Sequence, residues 1–268
     1  MIEDITPIVI TYNEEANIAR TLDRLTWARR IVVIDSGSTD ATLEIVRSYP
    51  QVEVVHRPFD EFASQCNFGI AQVTTNWVLS LDADYELSDV FVSELHRLHP
   101  EAVIGGYQAR FVYRVLGRPL RGTLYPPRTV LYRKDKALYQ NEGHGHRVTV
   151  AGKVVPLAGV IFHDDRKPLA RWFTAQQRYA REEAEHLLAL DRKALNRVDR
   201  VRLAAWPAPL AVLMYTLILK GCLLDGWPGW YYALQRLVAE TMLALELIDR
   251  RLRPAVQTPF SRDRLVRS

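Results

Sequence analysis

The sequence predicts an α/β fold in which a mostly parallel sheet is flanked by helices and followed by a C-terminal helical appendage. In the first hundred residues, short β-rich apolar runs alternate with stretches whose apolar residues recur every three or four positions. This alternation is typical of βαβ units, which build parallel sheets. Beyond about residue 105 the apolar runs are broken by Gly and Pro, and from residue 169 the periodicity is helical.

The first hundred residues are expected to form four strands joined by helices. Asp40 and Ser88 stand where an N-cap side chain would accept a hydrogen bond from the first helical turn. The predicted strands are residues 5–11, 31–35, 52–56 and 77–81, and the predicted helices are residues 15–25, 41–48 and 61–71.

The remainder is expected to divide into a β-rich piece and a helical one, separated from each other near residue 166. We expect a domain at 1–165, with halves at 1–100 and 101–165, and a helical appendage at 166–268. The predicted β pieces are residues 107–113, 130–133, 148–150 and 160–163, and the predicted helical stretches are residues 169–195, 206–224 and 230–252.

Charge is distributed unevenly along the 268 residues, a length that can bury one substantial core. Residues 1–100 hold 7 Lys and Arg against 16 Asp and Glu, and the remainder holds 28 against 15. An acidic half suits a metal site, whereas a basic half suits phosphate-bearing partners: anionic lipid, phosphorylated glycan or nucleic acid. The start lacks a secretory signal, and Cys66 and Cys222 lack metal-ligand spacing, so we expect a cytoplasmic protein without disulfides.

Polar residues follow three of the predicted strands, as Thr11-Tyr-Asn-Glu14, Asp35-Ser-Gly-Ser38 and Asp82-Ala-Asp84. Ligands of parallel sheets bind beyond the carboxyl ends of the strands. Two neighbouring carboxylates suit Mg²⁺ or Mn²⁺ bound to a nucleotide, although Asp84 as a helix cap beside a solvated Asp82 is the alternative.

Asp35 ends a buried strand, where its carboxylate can accept hydrogen bonds from a base or from ribose hydroxyls. Gly37 allows the backbone to approach a ligand closely. The alternative is an ordinary strand-to-helix turn in which Ser38 and Asp40 only cap. Tyr12 has a ring that suits either packing against a base or burial in the core.

Four segments together resemble the family 2 glycosyltransferases, which have the GT-A fold. The resemblance implies inverting transfer from a nucleoside diphosphate sugar, commonly a UDP-hexose, with Mn²⁺ or Mg²⁺ as cofactor and no nucleic-acid partner. It places Asp84 on the metal, Asp82 near the donor sugar or ribose, and Arg57 or Gln65 near the uracil or diphosphate. It places Thr11, Tyr12, Glu14 and Asp35 near the nucleoside. The segments are Ile10-Thr-Tyr-Asn-Glu-Glu15, Val33-Ile-Asp-Ser-Gly-Ser-Thr-Asp40, Gln65-Cys-Asn-Phe-Gly69 and Leu81-Asp-Ala-Asp84.

Inversion requires a base that takes the acceptor's hydroxyl proton. Family members usually place an acidic residue there, and Glu142 lies about where that acid is expected. His144 and His146 are alternatives, as bases, as a metal pair or as ordinary loop residues.

His163 ends an apolar run and is predicted either as a third metal-site residue beside the two aspartates or as a structural histidine. The segment 163–172 is a candidate for closing over the diphosphate. The Gln-x-x-Arg-Trp sequence of processive polysaccharide synthases is absent, so repeated addition is not expected.

The apolar run 203–219 is uncharged, and a helix over 208–224 would measure about 25 Å, short of a hydrocarbon core of about 30 Å. Flanking basic and aromatic residues instead predict a hairpin lying on an anionic membrane. A soluble helical pair or a dimer contact is the alternative. The chain resembles transferases of lipopolysaccharide core and related envelope glycans, which implies a glycolipid or lipid-linked acceptor on the inner face of the plasma membrane.

Two rival functions remain. A sugar-1-phosphate nucleotidyltransferase would share the α/β fold and the metal, but its glycine-rich N-terminal signature is absent. A non-catalytic membrane-bound scaffold would have no need of Asp35, Asp82 and Asp84.

Overall fold

The computed structural model describes residues 1–142, 145–191, 193 and 195–253. Across these residues the chain forms a nine-stranded main sheet, a two-stranded sheet and eight α-helices. The predicted class, an α/β sheet flanked by helices with further helices at the C-terminal end, is confirmed. The strands are β1 (Ile5–Thr11), β2 (Ile31–Asp35), β3 (Val52–His56), β4 (Trp77–Asp82), β5 (Tyr85–Leu87), β6 (Ile104–Val115), β7 (Arg118–Pro119), β8 (Arg128–Arg133), β9 (Ala137–Glu142), β10 (Gly145–Val150) and β11 (Lys153–His163). The helices are α1 (Ile18–Asp23), α2 (Thr42–Arg47), α3 (Phe62–Ala71), α4 (Asp89–Arg97), α5 (Leu169–Ala189), α6 (Arg197–Leu203), α7 (Pro207–Met214) and α8 (Trp227–Leu252).

The four strands predicted in the first hundred residues are present and mutually parallel, in the order β3-β2-β1-β4. The order reverses direction beside β1, which creates the crevice where ligands of such sheets bind. Ser88 caps α4, as predicted, because its hydroxyl accepts a hydrogen bond from Phe91 N at 3.2 Å. Asp40 bonds the start of α2, accepting from Thr42 N at 3.0 Å.

The sheet becomes mixed beyond β4. Strand β8 runs antiparallel to both β4 and β6, and β11 runs parallel to β6. It follows that β11 runs in the same direction as β4, and the carboxyl end of β11, His163, belongs to the same edge of the sheet as Asp82.

The sheet also curls. Strand β5 begins three residues after Asp82, yet it pairs with β11, and in the sheet order this puts β5 four strands away from β4. At about 4.8 Å between strands a flat sheet would separate β4 and β5 by about 19 Å. Three residues span at most about 11 Å. The curl therefore brings the start of β5, and with it β11, close to the end of β4.

Both faces of the parallel strands are covered, so their side chains alternate between two apolar clusters. Val9 and Val33 face the cluster that includes α1 and α4, whereas Ile8 and Ile34 face α3. Gly69 lets α3 approach the sheet, because a Cβ there would lie 3.2 Å from Ile8 Cδ1 and 3.3 Å from Ile34 Cγ1.

The C-terminal helices join the sheet at a small apolar cluster. Cys222 and Tyr232 pack there against Val115 and Leu120. Helix α7 continues into a π-helical turn, Tyr215–Leu219, and a 3-10 turn, Cys222–Asp225, precedes α8. Within the described residues, none of the helices combines the length and the apolar character needed to cross a membrane. The proposed boundary between residues 165 and 166 stays a prediction.

Candidate active site

The carboxylate of Asp84 and the imidazole of His163 form a pair at the carboxyl edge of the main sheet. Asp84 Oδ2 lies 3.1 Å from His163 Nε2, although the two residues are 79 positions apart. The side chains of Asp84 and His163 are only 12% and 17% exposed, so little water reaches the contact. Burial raises the pKa of Asp84, but the charge and hydrogen bond of His163 outweigh burial and bring it to about 2. Burial likewise lowers the pKa of His163, and the Asp84 carboxylate outweighs it, so that pKa is raised.

The two side chains fit a divalent cation. Adjacent ligand atoms of one octahedral ion at about 2.1 Å lie about 3 Å apart, which matches the 3.1 Å between Asp84 Oδ2 and His163 Nε2. Carboxylate oxygen and imidazole nitrogen together suit Mn²⁺. Within the described part of the chain, no group of three or more His, Cys, Asp or Glu side chains is arranged as a metal cluster. Asp84 and His163 would therefore leave most of the coordination shell to diphosphate oxygens and water.

Glu14 and Lys167 form a second ion pair beside Asp84. Glu14 Oε1 accepts from Lys167 Nζ at 2.5 Å, and its other oxygen accepts from Asn17 Nδ2 at 2.8 Å. Burial and the nearby Asp84 carboxylate raise the pKa of Glu14 to about 7. The pKa of Lys167 is raised as well, because Glu14 and Asp84 outweigh the effect of burial. The candidate site thus brings carboxylates and cations together with little solvent.

Asp82 ends β4 and is only partly buried. Its carboxylate acts electrostatically on the hydroxyls of Tyr85 and Tyr125, which are hydrogen-bonded to each other. The rings of Tyr85 and Tyr125 lie 5.2 Å and 5.3 Å from that of His163. Aromatic rings from β5 and from the loop before β8 therefore line one side of the site, next to the two aspartates.

The nucleoside-side predictions fall on the ends of β1 and β2. Thr11 and Asp35 are paired across the two parallel strands and are buried. Thr11 Oγ1 has no hydrogen-bond partner among the described residues. Tyr12 is 53% exposed and belongs to neither apolar cluster of the sheet, so its ring is accessible to a base.

Asp35 also shapes its own turn. Its carboxylate accepts from Gly37 N at 2.9 Å and from Ser38 Oγ at 2.5 Å. Gly37 has φ +96°, a conformation that favours glycine. Both alternatives for Asp35 therefore have support: the carboxylate caps the turn, and it lies beside Thr11 at the strand ends.

The side chains of Arg57 and Gln65 contact each other, and Gln65 contacts the turn that follows β2. Gln65 is fully buried, and its Nε2 donates to Ser36 Oγ at 2.9 Å and to Arg57 O at 2.9 Å. Gln65 Oε1 accepts from the Arg57 guanidinium, which also pairs with Asp60 at 2.7 Å. In this arrangement Gln65 has no surface open to a ligand, and contact of either residue with uracil or diphosphate stays a prediction.

The candidate bases fall at the tip of the two-stranded sheet. Glu142 is the last residue of β9, and its Cα is paired with that of Gly145 at the start of β10. His146 follows in β10, and His144 lies outside the described residues. The position of the side chains of Glu142 and His146 is not described, so the choice of base stays a prediction.

The segment 163–172 was a sequence candidate for closing over the diphosphate, but the partners of the charged residues after His163 were not predicted. Asp164 is fully buried, and its carboxylate accepts from Arg20 Nη1 at 3.0 Å and from Arg166 Nη2 at 2.8 Å. Gly117 N lies 3.3 Å from the same carboxylate. A run of four charged residues after an apolar strand was the signal available, but its partners are distant in sequence.

A further set of contacts ties the segment before α5 to the loop after β1. Asn17 Nδ2 donates to Asp165 Oδ1 at 2.9 Å, and Arg171 Nη1 donates to Asn13 O at 2.8 Å. Asn13 Oδ1 in turn accepts from Thr39 N at 2.7 Å. Together with the Lys167–Glu14 ion pair, these contacts hold residues 165–171 against the loop that follows β1.

The fold is of the GT-A type. A mannosyltransferase from Pyrobaculum calidifontis, solved in complex with GDP-Man and Mn²⁺, has a similar fold, with a TM-score of 0.52 and 17% identity over 93% of this chain and 86% of that one. The sequence profile named Glycosyl transferase family 2 matches residues 6–155, more than half of the chain. The protein therefore belongs to family 2 of the glycosyltransferases and is an enzyme.

Two further proteins are similar to this chain in sequence. An uncharacterized glycosyltransferase of Rickettsia prowazekii is 26% identical over 207 residues, which cover 72% of this chain and 70% of that protein. The lipopolysaccharide core biosynthesis glycosyltransferase LpsC of Rhizobium meliloti is 31% identical over 139 residues, half of each chain.

Proposed function

We propose that this glycosyltransferase is metal-dependent and inverting, and that it moves a hexose from a UDP-sugar to a lipid-linked glycan or glycolipid such as lipopolysaccharide core. The observation that carries the proposal is the Asp84–His163 pair, 3.1 Å apart, at the carboxyl edge of the sheet. Asp84 and His163 would hold a divalent ion there, and its charge would offset the negative charge of the departing nucleoside diphosphate.

The residues of this chain have distinct roles in the proposal. Asp84 and His163 hold the ion, and Asp82, one residue before the bend to β5, contacts the ribose or the donor sugar. Tyr12 stacks on the base, while Thr11 and Asp35 bond the nucleoside. Because the Asp84–His163 contact is nearly dry, its charges act with little screening.

The acceptor's proton requires a base on the opposite side of the sugar from the diphosphate. We assign this role to Glu142, with His146 and His144 as alternatives. The assignment rests on the resemblance to the family and on the place of Glu142 at the end of β9, outside the main sheet.

A lipid-linked acceptor is supported by the similarity to LpsC and by the basic remainder of the chain, which holds 28 Lys and Arg against 15 Asp and Glu. Phosphorylated glycolipids are anionic, so a basic surface favours their approach. We place the enzyme on the inner face of the plasma membrane, where UDP-sugars and such acceptors meet.

The central test is the variant Asp84→Asn. Removal of one ligand charge is expected to lower kcat for UDP release roughly 100-fold, since a metal contributes several kcal/mol to charge stabilisation in such transition states. Mn²⁺ binding measured by calorimetry in the presence of UDP should weaken in parallel.

The matched control is Asp89→Asn, which makes the same chemical change at a carboxylate with 91% side-chain exposure, paired with Arg24 on the surface. Its turnover should equal that of the wild type. Unchanged activity and metal binding in Asp84→Asn would remove the basis of the proposal.

The rival functions give different products. Incubation with a nucleoside triphosphate and a sugar 1-phosphate would release pyrophosphate if the protein were a nucleotidyltransferase. A non-catalytic scaffold would release neither UDP nor pyrophosphate from any donor in a screen of UDP-sugars with glycolipid acceptors.

A further inference from the structure

We infer that α7, the π-helical turn after it and the start of α8 form a docking face for an anionic lipid bilayer, which holds the active site beside its acceptor. The inference rests on the proposed function for the identity of the acceptor, but the docking face itself is argued from exposure and charge. We define the docking face by Trp206, Leu210, Ile218, Leu219, Leu224 and Trp227.

Large apolar side chains are exposed along this face. Trp206, just before α7, is 77% exposed, and Leu219 in the π-helical turn and Leu224 in the 3-10 turn are 75% and 69% exposed. Single exposed apolar residues are ordinary on a protein surface, but several of them on elements that contact one another, as α7, the two turns after it and α8 do, favour a site of interaction.

Cations that form no ion pair within the described residues border the docking face. Arg197 and Arg200 precede it on α6, Lys220 follows the π-helical turn, and Arg118 lies on β7 with its guanidinium 5.6 Å from the Trp227 ring. None of these four side chains forms an ion pair with any residue that the structure describes. By contrast, Arg202 on the same helix α6 is paired with Glu240 at 2.6 Å.

The combination favours lipid over another protein surface. Trp and Tyr rings beside cations suit the boundary between headgroups and acyl chains, where the ring is apolar and the cation meets phosphate. Trp227 with Arg118, and Tyr215 with Lys220 at 5.5 Å, provide two such pairs. Residues 203–219 carry no charge, so this stretch can enter the acyl boundary at low cost.

A second copy of the chain fits the docking face less well. In a symmetric dimer the same patch meets itself, so two surfaces that both carry a positive border would be brought together. Helix α7 has eight residues and measures about 12 Å, so it would lie within the interface of a bilayer rather than across it.

The docking face is connected to the active site through aromatic rings. Tyr232, one turn into α8, lies 4.8 Å from the ring of Tyr113, which in turn lies 4.8 Å from His163. The Tyr232 hydroxyl also accepts from Leu124 N at 3.1 Å. Two ring contacts therefore link α8, whose start belongs to the docking face, to the proposed metal ligand.

The test compares full-length variants by sedimentation with vesicles of phosphatidylcholine alone or with phosphatidylglycerol. The wild type is expected to sediment with the anionic vesicles and to be released by high salt. The double variant Leu219→Glu/Leu224→Glu should bind more than tenfold more weakly, since it places two charges in the apolar boundary.

Leu252→Glu is the matched control, because Leu252 is 76% exposed but lies about 37 Å from Trp227 along α8. This control should bind vesicles as the wild type does. Circular dichroism and thermal unfolding of all variants should be alike, since the replaced side chains are exposed.

The inference would be overturned if Leu252→Glu lost as much vesicle binding as Leu219→Glu/Leu224→Glu. It would also be overturned if the wild type did not bind anionic vesicles. A dimer in sedimentation velocity that dissociates in Leu219→Glu/Leu224→Glu, without any vesicle binding, would assign the face to a second copy instead.

Failure of the proposed function can be distinguished from failure of the docking face. Hydrolysis of UDP-sugar in the absence of membrane should be unchanged in Leu219→Glu/Leu224→Glu, while transfer to an acceptor in anionic vesicles should fall. If no UDP-sugar is ever hydrolysed or transferred but vesicle binding follows the expected pattern, the docking face stands and the donor assignment does not.

Discussion

At the scale of single residues, the candidate site depends on a few side chains whose surroundings alter their chemistry. Tyr12 is exposed beside buried Thr11, although both belong to the same strand end. An exposed ring at the carboxyl edge of a parallel sheet is available to stack on a base, whereas the same ring in the core would only contribute to stability.

Replacing Tyr12 with Ala is expected to weaken UDP binding roughly 5- to 100-fold, since loss of one stacked base costs about 1–3 kcal/mol. Tyr12→Phe should bind UDP as the wild type does, because the ring remains. Calorimetric titration with UDP and Mn²⁺ measures both. An alanine variant with unchanged affinity would place the base elsewhere.

The pKa of Glu14 predicts how the stability of the protein depends on pH. Its pKa rises from 4.5 to about 7 on folding, chiefly through burial and then through Asp84. A carboxyl with a raised folded pKa contributes stability that is complete below pH 4.5 and is lost as the pH rises through 7.

In metal-free buffer, the free energy of unfolding of Glu14→Gln minus that of the wild type should therefore increase between pH 5 and pH 8, by roughly 1–3 kcal/mol. Urea denaturation at each pH measures it. A difference independent of pH would show that Glu14 is fully ionised across this range.

At the scale of elements, the segment between β11 and α5 determines where His163 faces. Asp164 receives hydrogen bonds from Arg20 on α1 and from Arg166, and it is fully buried. Such a network fixes one element against another, because separating them would leave the buried carboxylate of Asp164 without its cationic partners.

Asp164→Asn should lower the free energy of unfolding by about 2–4 kcal/mol, because the Arg20 and Arg166 charges would lose a buried partner. Asp89→Asn, at an exposed pair, should change it by less than about 1 kcal/mol. Urea denaturation of both variants decides between a buried network and an incidental contact. Equal stabilities would contradict the role given to Asp164.

Secondary structure was predicted well where the local pattern was strong. Strands β1 to β4 and helix α3 follow the predicted ranges closely, because their apolar residues are regularly spaced. Strands β5, β7 and β9 were missed. β5 has three residues and β7 has two, and these two form by pairing with β11 and β6 rather than from local preference.

At the scale of the whole molecule, the acidic first hundred residues and the basic remainder meet at the active site. Asp82 and Asp84 come from the first part, and His163 and Lys167 come from the second. Bringing them together neutralises charges that would repel within either part, and it creates a site suited to an anionic donor and a cation.

Removal of divalent ions should therefore abolish UDP release by the whole enzyme. After treatment with EDTA and buffer exchange, activity should be absent and should return on addition of Mn²⁺, because Asp84 and His163 suit that ion. A donor-hydrolysis assay measures both states. Full activity in EDTA would exclude the metal-dependent proposal while leaving membership of the family intact.

The sequence by itself determined the α/β class, the parallel direction of the first strands and the candidate residues at the strand ends, because these follow from local periodicity and from short motifs. It also indicated Asp84 and His163 separately. Only the tertiary structure decided that they lie 3.1 Å apart, that Lys167 pairs with Glu14, and that Tyr113 lies between Tyr232 and His163. Those contacts depend on the direction of β11 and on the curl of the sheet, which arise from long-range strand pairing and packing rather than from local sequence.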